Sequence, residues 1–175
     1  MKKIRVGIVG TGIIARAHAE GIAVCELSEL TAICDIDECQ MDYFEKEMRI
    51  QHVKRYTDYR KMILSGMIDA VLVCTPTVSH CEISVFAASC GIHVFCEKPL
   101  AMNGKEADMM AEAARKNHVI SMTGFAFRYI PAVAFIKSLA DSGKLGKIRH
   151  YRGHFYANRL APANHPLEWR HLEDV

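Results

Sequence analysis

The sequence predicts an α/β fold built on a parallel, doubly wound sheet. Short apolar segments rich in β-branched residues recur along the chain, and segments of helical periodicity separate them. This alternation is typical of strands that crossover helices join into one parallel sheet. The predicted strands are residues 4–9, 30–34, 53–56, 68–74, 93–96 and 119–123, and the predicted helices are residues 13–23, 38–49, 59–65, 77–90 and 103–117.

Local signals mark where two of these helices begin. Pro76 ends the fourth strand, because proline has no N–H to continue a ladder, and Thr77 is placed to cap the helix that follows. Asn103 and Glu106 have the spacing of a capping box. We therefore expect both helices to start at these residues.

The first strand leads into a glycine-rich turn. Gly10-Thr11-Gly12 precedes the first helix, and Ala15 completes a Gly-x-Gly-x-x-Ala pattern. Gly10 permits a tight turn, Gly12 lets the main chain approach a pyrophosphate, and Ala15 lets the helix pack on the strand. The N-terminus of the helix offers N–H groups and a partial positive charge to phosphates. A glycine-rich turn can also be purely structural, or belong to a methyltransferase, so the motif alone leaves these alternatives open.

An acidic residue ends the second strand. Asp35 lies about twenty residues beyond the glycines, where a dinucleotide fingerprint has an acid for the ribose hydroxyls. Because a carboxylate repels a 2′-phosphate, Asp35 favours NAD over NADP. Asp35 or Asp37 could instead cap the helix from Glu38, and capping by Asp37 is compatible with binding by Asp35.

Composition excludes several classes of protein. The chain is 50% hydrophobic and 24% charged with a net charge of +2, which gives no indication of a nucleic-acid or membrane partner. No apolar stretch would span a bilayer, and Lys2-Lys3 leads directly into a strand, so we expect no signal peptide. The seven cysteines form no C-x-x-C pair and are expected to be mainly buried free thiols, which predict a reducing, cytoplasmic location. His150 and His154 fall in a predicted strand, and we expect no metal site.

Polar or glycine-containing segments follow the predicted strands. The carboxyl ends of parallel strands meet at one edge of a sheet, and ligands of doubly wound sheets bind there. We therefore expect one site formed by Gly10–Gly12, Asp35, Thr75–His80, Glu97–Pro99 and Arg128.

The pattern changes near the end of the sixth strand. A helix is predicted over 131–142, and the aromatic-rich alternation of residues 148–158 predicts a strand. A single strand without partners cannot form a stable layer. We therefore divide the chain into a cofactor-binding domain, residues 1–123, and the beginning of a second α/β domain, residues 124–175.

Several motifs together closely resemble the Gfo/Idh/MocA oxidoreductases, a family that includes glucose–fructose oxidoreductase and inositol dehydrogenase. The resemblance covers essentially the whole chain. Besides the glycine-rich turn, its motifs are Thr75-Pro76-x-x-x-His80, Glu97-Lys98-Pro99, Gly124-Phe-x-x-Arg128-x-x-Pro131 and Leu145-Gly-Lys-Ile148, and Pro166-Leu-Glu-Trp-Arg170 is similar to members acting on sugars or inositol. The resemblance implies an NAD-binding Rossmann domain, followed by a domain with an open, mostly antiparallel sheet that commonly builds homo-oligomers.

The resemblance also implies a reaction, in which a hydride moves between nicotinamide and a secondary alcohol of a sugar or inositol. Lys98 matches the motif lysine that helps to place the nicotinamide ribose and the substrate hydroxyl and acts in proton transfer. Such an oxidation needs a group that takes or relays the hydroxyl proton, which a partly desolvated lysine can do. Glu97 would orient Lys98, and Pro99 would follow a cis peptide bond.

The predicted cofactor contacts combine the fingerprint with this resemblance. They are Gly10, Thr11, Gly12, Ile13, Ile14, Asp35, Ile36, Thr75, Pro76, His80, Glu97, Lys98 and Arg128. Some of these residues have other interpretations: Lys98 as an ordinary loop lysine, His80 as a helix-start residue with a local hydrogen bond, and Arg128 as the partner of an acid at the domain junction. Ala126 stands where the family frequently has Asn, which affects the substrate contacts expected of that loop.

The family's second catalytic motif, a glycine-rich turn followed by Asp-x-Gly-x-His, does not occur in these residues. We therefore expect this chain alone to bind NAD with little turnover, and a complete relative to be about twice as long. A non-catalytic dinucleotide-binding regulatory module is the alternative. A methyltransferase that binds S-adenosylmethionine would share the glycine turn and Asp35 but would have no use for Glu97-Lys98-Pro99.

Overall fold

The structure of the chain is a computed structural model that describes residues 2–156. The chain divides into two compact units, residues 1–124 and residues 125–175. This division falls one residue beyond the domain boundary that the sequence predicts.

A six-stranded sheet forms the centre of the first unit. Its strand order is β3-β2-β1-β4-β5-β6, and every neighbouring pair is parallel. The chain begins in the middle of the sheet and builds outwards in both directions, so the strand order reverses between β1 and β4. The sequence-based fold class is confirmed, and ligands of such sheets bind at this reversal. The strands are β1 Ile4–Val9, β2 Ser28–Cys34, β3 Lys54–Tyr56, β4 Ala70–Val73, β5 His93–Cys96 and β6 Ser121–Thr123.

Helices cover both faces of the sheet. In β1, β2 and β4, alternate residues belong to two separate apolar clusters, because successive side chains of a strand point to opposite faces. One cluster joins the sheet to α1 and α2 through Ala15, Ala19, Met41 and Phe44, and the other joins it to α3, α4 and α5. The helices are α1 Ile13–Val24, α2 Glu38–Met48, α3 Tyr59–Leu64, α4 His80–Ser89 and α5 Gly104–Lys116.

Two helices begin with the caps that the sequence predicts. Asp37 accepts a hydrogen bond from the Cys39 N–H at 2.9 Å and caps α2. Asn103 accepts from the Glu106 N–H at 3.0 Å, and the Glu106 carboxylate accepts in return from the Met102 N–H at 3.1 Å. Asn103 is thus the cap that the sequence predicts, but the return bond to Glu106 comes from Met102, the residue before the cap, and not from the Asn103 N–H of a standard capping box.

The prediction that Thr77 caps the fourth helix is wrong. Residues Thr77–Ser79 form a single 3₁₀ turn before α4, and neither this turn nor α4 has a side-chain N-cap bond. A cap residue has extended backbone outside the helix. Thr77 instead lies inside the turn and is buried against the interior.

The second unit contains little regular structure among its described residues. A 3₁₀ turn, Ala126–Tyr129, precedes α6, Pro131–Asp141, which has proline in its first turn. The strand predicted over 148–158 is wrong for residues 148–156, which form neither helix nor strand; residues 157 and 158 lie outside the described residues. An alternating pattern gives a segment one apolar face, but a strand also needs a neighbouring strand for its main-chain hydrogen bonds. No strand among the described residues pairs with this segment.

All seven cysteines are unpaired, and four of them are buried. The prediction of buried free thiols is thus confirmed for Cys34, Cys74, Cys81 and Cys96, whereas the other three are exposed. Within residues 2–156, no helix is long and apolar enough to cross a membrane. The same residues contain no group of three or more His, Cys, Asp or Glu side chains with the geometry of a metal site.

Candidate functional site

Gly10 forms the tight turn at the end of β1. Its φ angle is +87°, and a Cβ atom at this position would lie 2.8 Å from the main-chain carbonyl carbon of Cys74. The Gly10 N–H donates to the Cys34 carbonyl at 2.8 Å. The turn is thus packed between the ends of β2 and β4, and only glycine fits there without strain.

Gly12 lies at the N-terminus of α1 and faces open space. A Cβ atom there would meet nothing within 4 Å. No side chain caps α1, and its first turn carries no acidic residue. Ile13 and Ile14 follow with exposures of 74% and 41%. The first N–H groups of this helix can therefore receive an anion from outside, which is the feature that a pyrophosphate requires.

The Asp35 carboxylate lies against the glycine-rich turn. One carboxylate oxygen accepts from the Thr11 N–H at 2.7 Å and from the Thr11 hydroxyl at 2.9 Å, while the other accepts from the Asp37 N–H at 3.1 Å. Asp37, and not Asp35, is the cap of α2. Asp35 is partly buried, and Ile36 beside it is 92% exposed. The structure thus joins the predicted acid to the predicted glycine turn, through a buried Thr11 hydroxyl whose hydrogen bond sequence reasoning did not identify.

The loop after β4 begins with Thr75 and Pro76. The Thr75 hydroxyl accepts from the Ser79 hydroxyl at 2.7 Å, and Pro76 is exposed. His80, at the start of α4, is 1% exposed. Its Nε2 lies 2.8 Å from the Thr75 carbonyl oxygen, and its Nδ1 lies 2.9 Å from the Pro99 carbonyl oxygen. The local hydrogen bond considered for His80 exists, but the same ring also contacts the loop after β5.

Glu97 is the buried acid of the loop after β5. The Lys98 N–H donates to one of its carboxylate oxygens at 3.1 Å, and the other lies 2.9 Å from Nε2 of His18. A Cβ atom on Gly124 would lie 2.7 Å from that second oxygen, so the carboxylate packs directly on Gly124. Lys98 is exposed, and its bond to Pro99 is cis, as predicted.

Sequence reasoning missed His18. This histidine lies on α1, one helical turn after Ala15, and its ring also packs edge-on against Phe95 at 5.0 Å. The spacing of three residues from the buried Ala15 is the signal that could have indicated a sheet-facing side chain. Its pairing with Glu97, 79 residues further along the chain, has no local signal.

The structure brings most predicted site residues to one edge of the sheet. Direct contacts link the glycine turn to the ends of β2 and β4, and the ends of β4 and β5 to each other. Arg128 belongs to the second unit, where its guanidinium lies 5.9 Å from the ring centre of Phe125. Its contact with a cofactor remains a prediction.

These features define a class of protein. A parallel sheet of this strand order, with a glycine turn between β1 and α1 and an acid at the end of β2, is a dinucleotide-binding Rossmann domain. The sequence profile of an oxidoreductase family with an NAD-binding Rossmann fold, Gfo/Idh/MocA, matches residues 4–125. The chain belongs to this family.

Relatives of known activity include polyol and sugar dehydrogenases. The chain is 35% identical over 144 residues to myo-inositol 2-dehydrogenase of Thermotoga maritima, covering 82% of this chain and 42% of the relative. It is 30% identical over 181 residues to levoglucosan dehydrogenase of Pseudarthrobacter phenanthrenivorans, and this match covers 100% of this chain and 46% of the relative. The chain thus spans less than half the length of these relatives.

A solved structure of scyllo-inositol dehydrogenase from Lactobacillus casei, with bound NAD(H) and scyllo-inositol, has the same fold. It superposes with a TM-score of 0.76 at 28% identity, over 83% of this chain and 43% of the other.

Proposed function

We propose that this chain binds NAD and forms the cofactor-binding part of a dehydrogenase that acts on a secondary alcohol of a sugar or inositol. One observation carries the proposal: the glycine turn, Asp35 and the loop of Glu97 and Lys98 meet at a single sheet edge. A purely structural glycine turn would not need an acid hydrogen-bonded to it, nor a lysine after β5 at the same edge of the sheet.

The residues at this edge fit a dinucleotide. The open space at Gly12 and the uncapped start of α1 suit the pyrophosphate. Asp35 suits the adenosine ribose, whose two hydroxyls would donate to its carboxylate. The exposed side chains of Ile13 and Ile36 supply apolar surface for the base. Thr75 and Pro76 would line the cofactor on the other side of the glycine turn.

Asp35 also supports a preference for NAD over NADP. Its carboxylate is held in place by three hydrogen bonds from Thr11 and Asp37. A carboxylate fixed in this way cannot easily turn from a 2′-phosphate, and two negative charges at close range repel each other.

Lys98 is the residue we assign to proton transfer. When bound, the nicotinamide accepts or supplies the hydride. The Lys98 side chain is exposed at the sheet edge, and the Lys98 main-chain N–H donates to the Glu97 carboxylate. An ammonium or amine there can hold the substrate hydroxyl and relay its proton.

The substrate class rests on the relatives, which are named for myo-inositol and levoglucosan. We also infer a cytoplasmic location, because seven unpaired cysteines are typical of a reducing compartment. Association into a homo-oligomer is inferred from the family resemblance and concerns the longer form of the protein.

Calorimetric titration with NADH and with NADPH tests the cofactor proposal. We expect NADH to bind the chain about tenfold or more tightly than NADPH, and Asp35→Asn to reduce this ratio about tenfold. Asparagine keeps an acceptor for Thr11 but removes the charge. Asp37→Asn is the matched control, because asparagine also caps helices and the ratio should stay unchanged. Equal binding of both cofactors would overturn the role of Asp35, and no binding to a folded chain would overturn the cofactor proposal.

The role of Lys98 is tested in the longer protein that carries this chain. Lys98→Met should lower turnover about a hundredfold while NADH affinity changes little, since proton transfer and not cofactor binding is removed. Lys105→Met, at an exposed position of α5, should leave both unchanged. Normal turnover of the Lys98 variant would contradict the assignment. A regulatory module would bind NADH and show no turnover even in the unaltered longer protein.

A further inference from the structure

His80 contacts two loops of the sheet edge with one ring. Its two nitrogens lie 2.8 and 2.9 Å from the carbonyl oxygens of Thr75 and Pro99. These carbonyls belong to the loops after β4 and β5, which are neighbouring strands. Carbonyl oxygens only accept hydrogen bonds, so a neutral ring donates to one of them and a protonated ring to both.

The ring itself is not available to a ligand. His80 is 1% exposed, and both of its nitrogens face main-chain oxygens. A direct cofactor contact therefore explains its position less well than a link between the loops. A buried ring that bridges two main-chain segments restricts their relative movement, because separating them would leave a buried polar group without a partner.

The two loops have different tasks under the proposed function. The Thr75–Pro76 loop lies beside the glycine turn, since a Cβ on Gly10 would lie 2.9 Å from the Thr75 N atom. The other loop carries Lys98 directly before Pro99. The Lys98 main chain is also held on its other side, because its N–H donates to Glu97, whose carboxylate pairs with His18.

We propose that His80 is a positioning residue that couples occupation of the diphosphate site to the main chain of Lys98. A diphosphate at the glycine turn restricts the movement of the Thr75 loop. Through its two hydrogen bonds, His80 extends this restriction to the main chain of Pro99 and so to that of Lys98. The proposal rests on the proposed cofactor function and adds an order to it: the adenosine diphosphate half of the cofactor prepares the lysine before nicotinamide is in place.

Amide hydrogen exchange with ADP as the probe tests this coupling. ADP lacks both nicotinamide and its ribose, the parts of the cofactor that the proposed function places at Lys98. ADP should slow exchange of the Thr11 amide, which reports binding at the glycine turn. In the unaltered chain it should also slow exchange of the Lys98 amide about fivefold, which is near the lower end of typical couplings between two sites.

Two variants of His80 each keep one of its contacts. In His80→Asn the side-chain amide replaces Nδ1 towards Pro99, and in His80→Gln it replaces Nε2 towards Thr75. In either variant ADP should still slow the Thr11 amide but no longer the Lys98 amide, and one folded variant suffices. His93→Asn is the control: its Nδ1 accepts from the Ile120 N–H at the opposite end of β5, and the coupling should persist.

The outcomes separate this proposal from the cofactor proposal. If ADP binds and the Lys98 amide of the unaltered chain is unaffected, the coupling is wrong whatever the variants do. Slowing that persists in a folded His80 variant also overturns it. A chain that binds neither ADP nor NADH overturns the cofactor function, and the coupling with it.

Discussion

The two glycines of the turn have different physical roles. Gly10 has a positive φ and no room for a Cβ atom, because the main chain of Cys74 lies against it. Gly12 has a φ of −70°, which any residue can adopt, and a Cβ atom there would meet no other atom within 4 Å. Folding therefore requires glycine at position 10, whereas at position 12 the requirement comes from the proposed ligand.

Alanine at each position should separate these roles. Gly10→Ala should reduce the free energy of unfolding by about 3 kcal/mol, since it combines backbone strain with a steric overlap. Gly12→Ala should cost less than about 1 kcal/mol, yet weaken NADH binding about tenfold or more. Urea unfolding and calorimetry measure the two effects. Full NADH affinity in Gly12→Ala would show that the space at Gly12 is not where the pyrophosphate binds.

At the scale of elements, a paired arginine and aspartate join β1 to the segment before β4. The Arg5 guanidinium donates to both carboxylate oxygens of Asp69, at 3.0 and 2.6 Å, and the Arg5 main-chain N–H donates at 2.9 Å. These hydrogen bonds hold the pKa of Asp69 well below its usual range. The pair lies at the start of these neighbouring strands, away from the proposed site.

This pair should stabilise the fold in a pH-dependent manner. Because the pKa of Asp69 is depressed in the folded chain, its contribution is complete above the unfolded-state pKa, about 3.9, and is lost as the pH falls through the folded-state value. Asp69→Asn should thus lower the urea midpoint at pH 7, and the difference from the unaltered chain should shrink in acid. Asp108→Asn, at an exposed position of α5, controls for the loss of one charge. A difference that stays constant down to pH 2 would contradict the assignment.

At the scale of the whole molecule, the layered core determines which thiols are reactive. Burial raises the pKa of the Cys34 and Cys96 thiols to about 12 each. In contrast, hydrogen bonding from Ser28 lowers the pKa of the exposed Cys25. Thiolate is the reactive form, so accessibility and pKa both favour the same subset of cysteines.

A disulfide reagent such as Ellman's reagent should therefore titrate the cysteines in two groups. Three thiols, Cys25, Cys39 and Cys90, should react rapidly in the folded chain, and the four buried ones only on unfolding. Cys25→Ser should remove the fastest reaction, whereas Cys90→Ser should leave it. If all seven thiols reacted at one rate in native buffer, the layered core would not protect them as described.

Much of the fold could be predicted from sequence because its signals are local. The bounds of β5 and the Asn103 cap of α5 agree with the structure, since a run of β-branched and aromatic residues, or a polar residue three positions before Glu106, acts within a few residues. The glycine turn and Asp35 were predictable for a related reason: each occupies a fixed place relative to its own strand.

The failures of prediction arise where the surrounding structure overrides the local pattern. Residues 148–156 alternate like a strand but have no strand beside them among the described residues. Thr77 has the chemistry of a cap, yet the chain enters α4 through a 3₁₀ turn that buries it. Neither outcome depends on the local pattern.

The sequence by itself determined the order of the strands and helices, the glycine turn and the residues placed at strand ends. Only the tertiary structure decided which distant residues touch: Thr11 with Asp35, His18 with Glu97, and His80 with Pro99. The physical reason is that a hydrogen bond between residues 19 to 79 positions apart forms only when the parallel sheet has set its strands side by side.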